Sequence, residues 1–174
     1  MFIYKENKKF IYIETKFLKS NFYHLTGLES KNINPNYFYE KCLNNKLKES
    51  EIQIKKDGTT MLKISVLQSL MYIHKNAKMI GDFNGTGIVL STEKLVGNTT
   101  ACLGLRKADK YYICNTLLKA DVRKLSNNNK KIVCILSKNI KDKKYEEITY
   151  MDKKYQNEQE FINLISEFMN NERR

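Results

Sequence analysis

The first apolar runs, Phe2-Ile3-Tyr4 and Phe10-Ile11-Tyr12-Ile13, flank a polar stretch at Lys5–Lys9 and predict two short strands around a turn. From Thr15 to Leu28 the spacing changes. Phe17, Leu18, Phe22, Leu25 and Leu28 recur near the helical period, and Gly27 is placed to end a helix. Asn34-Pro35 reads as a helix start, with Asn capping and Pro at the first helical position. That helix runs to about Leu47 and would bury Phe38, Cys42 and Leu43. A short amphipathic piece at Ser50–Lys56 is broken by Asp57-Gly58. Thr59 or Thr60 then caps a helix through about Lys75. Its apolar positions, Leu62, Ile64, Val66, Leu67, Leu70, Met71 and Ile73, span a wide arc, as expected of a central helix packed on a sheet.

After Asn76, β-branched and aromatic residues cluster between closely spaced turns. Met79–Phe83 and Gly87–Ser91 flank Asn84-Gly85, a hairpin signal. Further strands are predicted at Thr99–Leu105, Tyr111–Leu118, Lys131–Lys138 and Glu146–Met151, with Asn127-Asn128-Asn129 among the connections and a short turn or helix at Asp121–Leu125. A last helix starts at Asn157, with Glu160 three residues on and Phe161, Leu164, Ile165 and Phe168 facing inward; Arg173-Arg174 suit the end of its dipole. The predicted fold is α+β: N-terminal helices packed on a four- to five-stranded antiparallel meander sheet, closed by a C-terminal helix over about 157–171. With no internal repeat and no long linker, residues 1–174 are expected to form a single domain.

Charge changes the picture more than length does. Thirty-one Lys+Arg against nineteen Asp+Glu give a formal charge of +12, which suits an anionic partner, nucleic acid before membrane. Twenty-seven of those bases are lysine and asparagine is frequent, so AT-rich coding would raise the same residues without any function. No apolar run approaches the roughly 20 residues of a membrane span, and the N-terminus lacks the order of a signal peptide. A cytoplasmic protein without membrane association is expected. The four cysteines, Cys42, Cys102, Cys114 and Cys134, are unpaired in spacing, and three lie in strand-like runs, which predicts buried thiols.

Several chemical signatures are missing from the sequence. There is no GxxxxGK[ST], HExxH, CxxC or GxSxG, and Gly81–Gly87 reads as a hairpin turn rather than a phosphate loop. No cofactor or metal is therefore expected. Histidine and arginine are scarce, and that scarcity marks the candidates. His24, in Phe22-Tyr23-His24-Leu25-Thr26-Gly27-Leu28, could exchange a proton at cellular pH, or simply be bonded at a helix end. His74 reads as helix-terminal. Arg106 and Arg123 could offer a bidentate fork to phosphate, although Arg106 also fits a solvated strand end and Asp121 could simply pair with a nearby basic side chain. Lys138 and Thr116 could reach the same phosphate, and Tyr111 or Tyr112 could stack on an unpaired base.

Two stretches carry more than composition. Phe22–Leu28, and Tyr111–Lys138 with Tyr145-Glu146-Glu147-Ile148 after it, resemble the phage-associated nuclease domains of the barnase/EndoU/colicin/RelE-like superfamily, over about residues 10–153. The resemblance implies a small α+β fold with helices on a four- or five-stranded antiparallel sheet, and metal-independent RNA cleavage. It implies His24 as general acid/base, Arg123 and Lys138 as a phosphate clamp, and Thr116 as a hydrogen-bonding group. Arg106, Tyr112 and Lys119 are the expected substrate contacts. The expected function is an endoribonuclease of mobile-element or toxin type acting on RNA, tRNA included. An antitoxin or a host protein complex is an expected partner. Two alternatives use the same scaffold: a nucleic-acid binder that leaves RNA intact, or a phage-encoded inhibitor docked on a host nucleic-acid-processing complex.

Overall fold

The computed structural model describes residues 1–30, 32–85 and 91–170. The chain opens with the expected hairpin of β1 (Phe2–Glu6) and β2 (Lys9–Ile13), with Phe2 opposite Ile13 and Glu6 opposite Lys9. Asn7 and Lys8 turn it at φ 47° and 67°, the left-handed pair that a two-residue hairpin requires. After Glu14 comes the two-residue β3 (Thr15–Lys16). Helices α1 (Lys19–Thr26), α2 (Pro35–Leu43), α3 (Thr59–Met71) and the single turn α4 (Ile73–Asn76) follow. Then come β4 (Met79–Phe83), β5 (Lys94–Gly97), β6 (Cys102–Ala108), β7 (Tyr111–Leu118), the short α5 (Val122–Leu125), β8 (Ser126–Ser137), β9 (Glu147–Met151) and α6 (Gln159–Asn170).

The fold is α+β, but its sheet corrects the expectation of a four- to five-stranded antiparallel meander. Among the described residues nine strands form one mixed sheet in the order β2-β1-β8-β4-β5-β6-β7-β3, with β9 branching from β8. Two pairings account for the difference. β1 leaves its hairpin to pair with β8, Phe2 opposite Ile135. β3 then adds to β7 in parallel, Thr15 opposite Tyr112. Because β2 and β3 are separated by Glu14 alone, both ends of the strand order belong to one continuous segment. The sheet must bend round on itself to satisfy both. Local pattern predicts most of the strands, but not the short strands Thr15–Lys16 and Lys94–Gly97, nor pairings between segments about a hundred residues or more apart.

Several element boundaries differ from the expectation. The helix expected from Thr59 to Lys75 breaks at Tyr72, and Leu43, expected in the core, is 64 % exposed. Lys94–Gly97 is an unanticipated strand, and the following one begins at Cys102 rather than Thr99. Asn127-Asn128-Asn129, expected as a connection, lies inside β8. Its side chains find partners there: Asn128 Nδ2 donates to Asp82, and Ser126 Oγ donates to the Asn129 side-chain oxygen. The strand expected at Gly87–Ser91 lies outside the described residues apart from Ser91, and Arg173-Arg174 lie wholly outside them.

The main core fills the curved sheet, where Leu25 of α1, Val66 and Leu70 of α3 and Ile73 of α4 meet Phe2, Ile80, Val96, Leu105 and Leu117. Residues 132–136 of β8 are buried without a break. Ile132 and Ile135 enter this core, whereas Val133, Cys134 and Leu136 face a second one. That second core is covered by α6, whose Phe161, Ile165 and Phe168 pack there, with Phe161 4.8 Å from the ring of Phe10. Each such side chain contributes roughly 1.5–3 kcal/mol of burial. Among the described residues no helix is long and apolar enough to cross a membrane.

Candidate active site

Helix α1 is built to present its last turn. The Asn21 side chain accepts from the Leu18 N–H at the start (3.2 Å). At the end Gly27 takes the left-handed conformation (φ 70°), and its N–H bonds to the His24 carbonyl. Tyr23 anchors the turn inward, edge-on to Phe38 of α2 at 4.9 Å. His24 therefore emerges on the exposed side of α1 while Leu25 and Thr26 are buried behind it.

The floor comes from β6 and β7. Between Gly104 and Leu105 the register shifts, so that Thr116 faces Gly104 and Cys114 faces Leu105, with Asn115 as the extra residue. Asn115 Nδ2 donates to the Ser91 carbonyl and to Thr92 Oγ1 (3.2 and 3.1 Å). Beyond Ile113, β7 has no pairing with the short β3. An open cleft of about 640 Å³ lies between this strand and α1.

His24, Arg106 and Thr116 all line this cleft, so three of the sequence-derived candidates are brought together. The others are placed elsewhere. Arg123 binds Asp121 through Nε and Nη2 (3.0 and 2.5 Å) at the start of α5. That pairing, together with the Arg123 N–H, holds the Asp121 carboxyl down at about 2. Lys138 donates to the Lys143 carbonyl (3.0 Å) and sits 4.7 Å over the Tyr145 ring, beside the second core. Tyr112 packs against the main core, where burial raises its phenol, and Lys119 is exposed just beyond β7. None of these four lines the cleft.

Sequence reasoning missed three charged members of the lining: Glu29, Lys55 and Lys63. Lys63 crosses from α3 to α1 and donates to the His24 carbonyl (3.2 Å). Burial, then the nearby Lys55, lowers its ammonium from the ordinary lysine value, with Asp57 opposing. In a chain with twenty-seven lysines no sequence signal separates these two from the rest. Cys114 also lines the cleft, but burial pushes its thiol up to about 12, so it offers a neutral thiol rather than a thiolate. Among the described residues no cluster of three or more His, Cys, Asp or Glu is arranged to hold a metal ion.

The family model described as phage-Barnase-EndoU-ColicinE5/D-RelE like nuclease 4 matches residues 1–154. The chain belongs to this nuclease family. No curated protein and no solved structure matches it. The match takes in every element that frames the cleft and stops short of α6, although α6 covers the second core. A nuclease must hold a polyanion next to a group that moves protons. The cleft of this phage-type nuclease supplies three cationic side chains, one imidazole and, among its described lining residues, one carboxylate.

Proposed function

We propose that this nuclease is an endoribonuclease acting in the cytoplasm, and that it cuts RNA in the cleft between α1 and β7. The observation that carries the reading is the convergence of His24, Glu29, Arg106 and Thr116 on one open cleft. In the reaction the 2′-oxygen bonds to the adjacent phosphorus and the bond from phosphorus to the 5′-oxygen breaks. The proton of the 2′-hydroxyl passes to a base, and an acid protonates the departing 5′-oxygen. His24 and Glu29 divide these two transfers, which contribute roughly 10²–10⁴-fold each. Arg106 stabilises charge developing on the non-bridging oxygens, and Thr116 contributes a hydrogen bond to them. The products carry a 2′,3′-cyclic phosphate and a 5′-hydroxyl. RNA supplies its own nucleophile, so these residues suffice without a metal ion.

The test is incubation of total RNA and a tRNA pool with the protein in EDTA, beside His24→Ala and Glu29→Gln. Cleavage that persists in EDTA, leaves cyclic phosphate ends and falls at least 10²-fold in each variant is the expected result. Equal cutting by the parent and His24→Ala, or cutting of an all-deoxy strand, would refute it. Intact RNA in every lane would favour a binding protein on this scaffold.

A further inference from the structure

Lys55 and Lys63 are set apart from the other lysines by lying together, half-buried, in the cleft lining. Among the described residues seven ion pairs form, and neither lysine takes part in any of them. Asp57, the acidic group nearest in sequence, is occupied by the N–H and hydroxyl of Thr59 (2.9 and 2.7 Å). Yet both lysines line the cleft beside His24, and both are half-buried. Asp57 acts on both charges through space, and Glu29 is the one carboxylate among the described lining residues against Lys55, Lys63 and Arg106, so the cleft carries an excess of positive charge.

The surroundings hold these lysines in place. The Lys55 N–H donates to Thr60 Oγ1 (3.0 Å), and the Thr60 hydroxyl donates to the Gly27 carbonyl (2.6 Å). This relay ties the segment before α3, the start of α3 and the end of α1 into one unit. The Lys63 stem passes so close to Gly27 that a Cβ there would lie 2.9 Å from its Cδ. Of the three donors on its Nζ one goes to the His24 carbonyl, leaving two for the cleft.

We propose that Lys55 and Lys63 form a phosphate subsite, which holds one phosphodiester of an RNA strand beside His24. This rests on the endoribonuclease reading for the identity of the strand, but not for the site itself. The other charged groups of the lining are Glu29 and Arg106. The bound phosphate offsets this excess of positive charge. It also accounts for a half-buried lysine where burial disfavours the ammonium.

A fluorescent 2′-O-methyl oligoribonucleotide is a suitable probe, because its blocked nucleophile prevents cleavage. Its anisotropy is followed over a salt series with the parent, Lys55→Met, Lys63→Met and, as a surface control, Lys153→Met. Each cleft variant should weaken binding about tenfold. Each should also flatten the slope of log affinity against log salt by roughly 0.7. The control should do neither. Inorganic phosphate should compete less well against either cleft variant than against the parent. If the parent fails to bind the probe, or both cleft variants keep its affinity and slope, the subsite is overturned. Because Lys55 lies outside α3, its variant reports even if Lys63→Met folds poorly. Binding lost in the variants while the parent leaves ordinary RNA intact would keep the subsite and refute the endoribonuclease. Cleavage without any change in the variants would do the reverse.

Discussion

Gly27 and Gly58 offer a paired test of how the cleft is assembled. Both adopt the left-handed conformation, at φ 70° and 76°. An alanine at either position pays roughly 1–2 kcal/mol for that backbone and recovers about 0.4–1 kcal/mol from a stiffer unfolded chain. These contributions are shared, so they cancel in the comparison. The surroundings differ. A Cβ at Gly58 meets nothing within 4 Å, whereas one at Gly27 lies 2.9 Å from Lys63 Cδ and 3.2 Å from the Thr60 Cα. The Thr60 backbone cannot yield without disturbing its hydroxyl bond to the Gly27 carbonyl. Overpacking of this kind costs roughly 1–3 kcal/mol. Gly58→Ala should therefore destabilise by about 0.5–1 kcal/mol and Gly27→Ala by about 2–4 kcal/mol. For a chain of this size the difference is roughly 4–8 °C in Tm. Urea unfolding with paired thermal melts measures both. Gly27→Ala should also weaken RNA binding, because the Lys63 stem must move, while Gly58→Ala leaves binding unchanged. Equal destabilisation by the two substitutions would refute the claim that close packing at Gly27, beyond its backbone conformation, seats Lys63.

Three further expectations follow from separate features. Phe161 is fully buried beneath α6, so Phe161→Ala should cost about 3–5 kcal/mol in urea unfolding; a loss under about 1 kcal/mol would mean α6 is not integral to the fold. The Lys63 ammonium is disfavoured by burial and Lys55, so between its lowered folded value and the ordinary 10.5 the unfolded chain binds more protons. Stability should then rise with pH across that window and Lys63→Met should remove the rise, as unfolding midpoints from neutral pH to 10.5 will show. Arg106→Ala, in the cleft, should lower kcat/KM for RNA roughly 10²-fold. Arg123→Ala, whose guanidinium is already engaged by Asp121, should stay within roughly threefold; the opposite ranking would place the phosphate clamp at α5.

Several features decided by short-range chemistry were already contained in the sequence. The β1–β2 hairpin, the Asn34 cap with Pro35 at the start of α2, the end of α1 at Gly27 and the apolar stripe of α6 follow from turn conformation, capping and periodicity within a few residues. The nuclease family was legible separately, as a resemblance carried by the His24 segment and the strand run from Tyr111. The scarcity of histidine and arginine singled out His24 and Arg106, which the fold brings into one cleft. Scarcity also singled out Arg123, but a carboxylate two residues away already engages its guanidinium.

Tertiary structure decided the rest, because those features depend on residues far apart in the chain. The curvature of the sheet comes from pairing Phe2 with Ile135 and Thr15 with Tyr112, contacts that no local propensity encodes. The same distance hides the cationic half of the cleft. Lys63 is thirty-nine residues from the carbonyl that holds it, and in the sequence it is one lysine among many. What sets it apart is burial beside Lys55 in the cleft lining without an ion pair of its own, a condition that exists only once α3 has packed against the end of α1.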